Sequence, residues 1–280
     1  MSEIANRNVV ITGGSRGIGV HLAHAFAGQG AHLALVARSQ EGLQNVAAQL
    51  ENYGTTVAVF PADLALEQER VQLVRDIRQR FGPIDILVNN AGLESDGPFT
   101  DLSWATIRRT VEVNLLAPMA LTHHILPEML VRNHGHLVNI SSIAAKSGAA
   151  YDAVYGGTKA GLAEWTRALR LELHDTGVRF STIMPGYVRE TGMFAKFGVK
   201  APWLPGSCSP DQVARAVIRA VQKNTRERVV NSQPLRWYFA LNDLWPALAD
   251  WIQQAIGAID FQREKSERLR QTTQGTTDES

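Results

Sequence analysis

Asn8-Val9-Val10-Ile11-Thr12-Gly13-Gly14-Ser15-Arg16-Gly17-Ile18-Gly19 is a short β-branched run that ends in a glycine-rich turn, and an amphipathic stretch, 17–29, follows at once. Glycine tolerates positive φ and lets a backbone approach a phosphate closely, while the free amides at the start of the next helix attract an anion. Strand, glycine turn and helix in that order suit a diphosphate. Gly13, Ser15, Arg16, Gly17, Ile18 and Gly19 are the expected contacts, with a plain structural turn as the competing reading. The spacing is G-x-x-x-G-x-G, not the G-x-G-x-x-G of the commoner dinucleotide fingerprint.

Outward from this turn the chain alternates short apolar runs with longer amphipathic stretches, the pattern of βαβ units. Strands are predicted at 8–11, 32–37, 56–60, 84–88, 136–140, 179–183 and 228–230, and helices at 17–29, 40–53, 66–80, 106–131, 151–175 and 210–223. The strands are nearly continuous in apolar residues, as strands covered on both faces should be. The expected fold is α/β: a single doubly wound, Rossmann-type domain with a parallel seven-stranded sheet, helices on both faces and a C-terminal helical extension. The expected divisions are a catalytic domain over 1–233, a helical extension over 234–260, and a flexible polar tail over 261–280.

At 280 residues, 45% hydrophobic and 20% charged, the chain has an ordinary globular composition, which argues against a disordered or fibrous protein. Its 28 basic and 27 acidic residues balance, so nucleic acid is not expected as a partner. The one cysteine, Cys208, cannot form an internal disulfide and reads as a small buried or loop residue. The first residues lack a basic and then apolar leader, so a cytoplasmic location is expected. Histidines 21, 24, 123, 124, 134 and 136 do not combine into a metal site by spacing, and no metal is expected.

Cofactor choice is read at the end of the second strand. An NAD site places a carboxylate roughly 20 residues after the glycine turn, to accept hydrogen bonds from the ribose hydroxyls. Here that place reads Ala37-Arg38-Ser39. Arg38 can pair with a ribose 2′-phosphate, Arg16 can reach the same group, and NADP(H) is the expected cofactor. Solvated surface arginines are the bland alternative. Asp63, after the third strand, suits either the adenine amino group or a helix N-cap. Asn90, Ala91 and Gly92, after the fourth strand, are small enough for the chain to pass beneath a cofactor.

Ser142 follows the fifth strand, and Tyr155 and Lys159 stand four residues apart on a predicted helix, so they share one face. A phenol with a pKa near ~10 exchanges protons poorly at neutrality, and an adjacent ammonium lowers it. Ser142 can donate a hydrogen bond to an oxygen that gains negative charge. With Thr12-Gly13-x-x-x-Gly17-x-Gly19, Asn89-Asn90-Ala91-Gly92, Asn114, Ser142, Tyr155-x-x-x-Lys159 and Pro185-Gly186 in order over about 7–230, the chain resembles the short-chain dehydrogenase/reductase family.

That resemblance implies hydride transfer between NADP(H) and a small carbonyl or alcohol, with Ser142, Tyr155, Lys159 and Asn114 as the catalytic set. It implies that Asn114 holds a water touching Lys159, and that Tyr155 and Lys159 also contact the nicotinamide ribose. Pro185, Gly186 and the backbone of Val188 would hold the nicotinamide end. The family's threonine slot carries Glu190, with Thr191 one later. Tyr151 is assigned to the site wall.

A homodimer or homotetramer is expected by the same resemblance, through the helices at 106–131 and 151–175. The resemblance also implies a lid at 189–206, where Met193, Phe194, Phe197, Trp203 and Leu204 suggest a fairly apolar substrate or plain packing. Trp237, Leu241, Leu244, Trp245, Leu248, Trp251, Ile252, Ala255 and Ile259 recur at helical spacing and suit a cover over the core, a subunit interface or membrane-surface contact. The open alternatives are a sterol, retinoid or hydroxyacyl alcohol dehydrogenase, and an NADP-binding sensor or scaffold without turnover.

Overall fold

The computed structural model describes residues 4–189 and 206–275, with side chains to residue 268. Its strands are β1 (Asn8–Thr12), β2 (His32–Ala37), β3 (Val57–Pro61), β4 (Ile86–Asn89), β5 (Gly135–Ile140), β6 (Val178–Pro185), β7 (Tyr187–Val188), β8 (Ser207–Cys208) and β9 (Glu227–Val230). The helices are α1 (Ile18–Ala27), α2 (Gln40–Gln49), α3 (Glu67–Phe81), α4 (Trp104–Val111), α5 (Ala117–Val131), α6 (Ala153–Glu172), α7 (Pro210–Lys223), α8 (Arg236–Leu244), α9 (Pro246–Ala255) and α10 (Ala258–Gly275). Seven parallel strands form one sheet in the order β3-β2-β1-β4-β5-β6-β9, as expected.

Alternation along each strand divides the core. Val9, Ile11, Leu33, Leu35, Ile86 and Val88 face α1, α2 and α7, where Leu22, Phe26, Leu43 and Val217 meet them. Val10, Ala34, Val36 and Leu87 face the other way, onto α3 and α5, against Leu73, Ile77, Leu121 and Ile125. Phe26 is fully buried and contributes about 2–3 kcal/mol by removal from water. Cys208 is buried as well, and burial pushes its thiol up to about 11, so it is no nucleophile at neutral pH.

From β1 the chain winds outward through β2 to β3, then returns to place β4 on the other side of β1. The connections after these two neighbours diverge, and a cleft opens at their carboxyl ends. Thr12 closes its floor. Its hydroxyl accepts hydrogen bonds from the amides of Asn90 and Ala91, both at 3.0 Å, and the Asn90 side chain donates to the Thr12 carbonyl at 2.9 Å.

Three expectations need correction. The helix predicted over 106–131 is interrupted: a wide π-turn at Glu112–Leu116 separates α4 from α5. Pro118 has no N–H to give to the Asn114 carbonyl four residues earlier, so the α-helical ladder cannot run through. The polar tail expected from residue 261 is helical through α10, with Gln262, Lys265 and Ser266 buried. A second small sheet, β7 beside β8, was not foreseen. The lid residues 190–205, with Glu190, Thr191, Met193, Phe194, Phe197, Trp203 and Leu204, lie outside the described residues. Among the described residues no helix is long and apolar enough to cross a membrane.

Candidate active site

A cavity of about 1090 Å³ runs over the carboxyl ends of the strands, from Gly13 and Arg38 at one end to Tyr155 and α10 at the other. Gly13, Ser15, Arg16, Gly17, Ile18, Arg38, Asp63, Asn90, Ala91, Gly92, Ser142, Tyr155, Lys159, Pro185, Gly186 and Val188 all line it. Gly19 and Asn114 do not. Gly19 is a packing residue, since a Cβ there would run into the Gly13 carbonyl and push α1 off the turn.

The glycine turn has the form a diphosphate needs. Gly13 and Gly17 have φ of 69° and 59°, and a Cβ on Gly13 would meet the Ala91 Cα at 3.0 Å. α1 begins at this turn with no side chain capping its first amides, and uncapped amides at a helix start are anion donors. Arg16 and Arg38 are exposed beside it. Arg109, which sequence reasoning missed, also lines this end, and its Nη2 donates to Asp63 Oδ2 at 2.7 Å. Burial works to raise the Asp63 carboxyl, but the Ala65 amide and Arg109 outweigh it and hold it below its usual range. Asp63 does not cap α3, whose N-cap position is Leu66; its carboxylate accepts from the Ala65 amide at 3.0 Å instead.

At the other end, α6 carries Tyr155 and Lys159 on one face, both buried. Lys159 Nζ lies 5.6 Å from the Tyr155 ring centroid and donates to the Ile140 carbonyl at 3.0 Å. Ser141 fixes the helix to the end of β5 by donating to the Lys159 carbonyl at 2.8 Å. The Ser142 hydroxyl accepts from the Ala144 amide at 3.2 Å and lies beside the Tyr155 phenol, which it pulls down. Asn114 is buried behind them. Its side chain accepts from the Leu93 amide at 2.7 Å and donates to the Leu93 carbonyl at 2.9 Å and to Thr158 at 3.1 Å.

The electrostatics differ from the simple pairing read in the sequence. Burial pushes the Tyr155 phenol above its usual range, Glu94 and Asp152 push it further, and Ser142 and Lys265 pull it back. Burial brings Lys159 down to about 8 against the pull of Glu94. Burial is the largest cause for both groups and outweighs the neighbouring charges. The site wall is also revised. Tyr151 does not line the cavity; its hydroxyl accepts from Arg263 at 3.1 Å, while Ser147, Gly148 and Asp152 form that wall.

Sequence reasoning also missed Glu94, Asp96 and Lys265. Lys265 Nζ, on α10, lies 3.0 Å from Asp96 Oδ1 and 3.4 Å from Glu94 Oε1, with all three side chains largely buried. The available signal was the pair of acids two and four residues after Gly92. Trp237, Tyr238 and Phe239 of α8, Ile252 of α9 and Ile256 just after it line the cavity.

Residues 7–201 match the family model described as short chain dehydrogenase. The chain is 39% identical over 272 residues, 95% of each protein, to the ketoacyl reductase HetN of Nostoc sp.. Among solved structures it resembles a short-chain dehydrogenase from Sphingobium yanoikuyae in complex with NADPH, at a TM-score of 0.76 and 28% identity, covering 87% of this chain and 95% of that one. A short chain dehydrogenase/reductase from Burkholderia phymatum in complex with NAD shares the fold, at a TM-score of 0.80 and 21% identity over 89% and 96% of the two chains.

Proposed function

Because the chain belongs to the short-chain dehydrogenase family, we propose that it is an NADP(H)-dependent oxidoreductase interconverting a ketone or aldehyde and its alcohol on a fairly apolar substrate. The observation that carries this reading is the convergence of Ser142, Tyr155 and Lys159 on the cavity whose far end is the glycine turn. A bound nicotinamide cofactor supplies the hydride. Gly13, Ser15, Gly17 and Ile18 take the diphosphate, Arg16 and Arg38 the 2′-phosphate, and Asp63 the adenine edge. Asn90, Ala91 and Gly92 would leave room for the cofactor, while Pro185, Gly186 and Val188 would hold its nicotinamide end.

In reduction, the Tyr155 hydroxyl gives its proton to the carbonyl oxygen, and Ser142 donates a hydrogen bond to the same oxygen as its charge grows. The Lys159 ammonium stabilises the phenolate this leaves, and its pKa of about 8 lets it return a proton near neutral pH. Asn114 acts through its backbone carbonyl, which Pro118 leaves without an α-helical donor and which can hold the water that feeds Lys159. Oxidation of an alcohol uses the same groups in reverse. The apolar preference rests on Ile143, Tyr238, Phe239, Ile252, Ile256 and Phe261 in the wall.

The test is the rate of NADPH and NADH consumption with a size-graded set of aldehydes and ketones. Faster turnover with NADPH that rises with apolar size is expected. Preference for NADH would refute the reading of the arginines, and activity confined to small polar carbonyls would refute the apolar substrate.

A further inference from the structure

The catalytic end of the cavity holds more acceptor capacity than its own side chains satisfy. Glu94, Asp152, Gln262 and Lys265 line it, with Asp96 buried behind. Three carboxyl groups stand against two lysines: Lys265 reaches Glu94 and Asp96, and Lys159 also attracts Glu94. Asp152 is only 5% exposed, yet its Oδ1 has no hydrogen-bond partner among the described residues. It occupies the N-cap position of α6, where a carboxylate ordinarily accepts from the first-turn amides, and it makes no such bond. Glu94 Oε2 and Gln262 Oε1 are likewise buried without partners among the described residues. Gln262 is held by its amide nitrogen, which donates to the Tyr187 hydroxyl at 3.1 Å. Unsatisfied acceptors of this kind cost stability, and side chains that converge on one cavity regain it when a ligand brings donors.

We infer that this end of the cavity is a receptor for a hydrogen-bond-donating group carried by the substrate beside its reacting carbonyl, with Asp152, Glu94 and Gln262 as acceptors and Lys265 as the fixed counter-cation. The inference rests on the carbonyl–alcohol reading above and names its substrate class: an apolar ketone bearing an adjacent hydroxyl or ammonium. The placement next to the reacting group follows from α6, since Asp152 at its N-cap and Tyr155 in its first turn stand three residues apart. Burial, more than any other cause, holds the Glu94 and Asp152 carboxyls above their usual range, which is how acceptors short of donors behave. The aliphatic and aromatic wall takes the rest of the molecule, and the carboxyl excess disfavours an anionic group at this position.

The test compares alkyl ketones of equal length whose α-carbon carries a methyl, a hydroxyl or an ammonium group. It reads kcat/KM with NADPH, together with calorimetric binding of the corresponding plain alcohol, diol and amino alcohol. A donor-bearing compound is expected to exceed its methyl counterpart by roughly tenfold or more in both readouts. Ammonium ahead of hydroxyl would mark charge recognition, and parity between them neutral hydrogen bonding. Asp152→Ala should shrink the donor-to-methyl ratio, as should the gentler Glu94→Gln, with retained NADPH binding reporting that each variant is folded. Equal or better handling of the methyl compound by the unsubstituted protein overturns the inference, as does a ratio that neither variant changes. If no ketone is reduced but the diol or amino alcohol still outbinds the plain alcohol, the oxidoreductase reading fails and the receptor stands. If nothing is reduced and nothing binds, both fall.

Discussion

Arg38 follows β2 at the place where an NAD-type site carries a carboxylate, and its guanidinium is exposed at the cavity's edge with no hydrogen bond or ion pair among the described residues. Arg38→Asp exchanges a partner for the 2′-phosphate for an acceptor of ribose hydroxyls. The expected result is a rise of about 10–100-fold in the KM for NADPH and a fall in that for NADH, read from initial rates. An unchanged cofactor ratio would assign the choice to Arg16 or Arg109. At this scale Ser142, Tyr155, Lys159 and Arg38 were legible because each sits at a fixed offset from a strand end or a helix face. Arg109, Glu94 and Lys265 were not, because what matters about them is a partner distant in sequence: Asp63 for Arg109, and α10 for Glu94.

Among the elements, α10 shows how composition misleads. Its Arg, Glu, Gln, Thr and Ser content reads as a solvated tail, since local patterning contains no sign that Lys265 will be covered by carboxylates from the segment after β4. The break between α4 and α5 was nearer to hand, because an Asn followed four residues later by Pro removes one helical bond. Lys265→Met is expected to lower stability by about 3 kcal/mol at pH 8, measured by denaturant unfolding, because it strands buried carboxylates. The pH dependence follows from Glu94, whose folded pKa of about 7 lies above its ordinary 4.5. Its contribution to stability is full below pH 4.5 and is lost as pH rises through 7. Without Lys265 that pKa rises further, so the variant's deficit should shrink on acidification from pH 8 to pH 5. A deficit that is constant across this range, or absent, would contradict the docking of α10 by charge.

For the molecule as a whole, the sheet was the most legible feature, because strands buried on both faces leave near-continuous apolar runs that no loop would carry. β7 and β8 escaped notice because two-residue strands have no periodicity to read. The same surface logic bears on assembly. Trp104 and Val131 remain 74% and 88% exposed, and Leu116 and Leu171 are exposed too, all in or next to the helical stretches expected to meet a second subunit. Sedimentation should return two or four times the monomer mass, and Val131→Asp with Leu171→Asp should shift it toward one; a monomer at the outset would refute this interface. The account's central claim is that Tyr155 is the proton-transfer group of an NADP(H)-dependent carbonyl–alcohol site. The direct test is ketone-dependent NADPH oxidation by Tyr155→Phe, which keeps the ring and removes the transferable proton, beside NADPH binding by the same variant. The account predicts a loss of roughly 10²–10⁴-fold in kcat with binding preserved; turnover within a few-fold of the unsubstituted protein would contradict it.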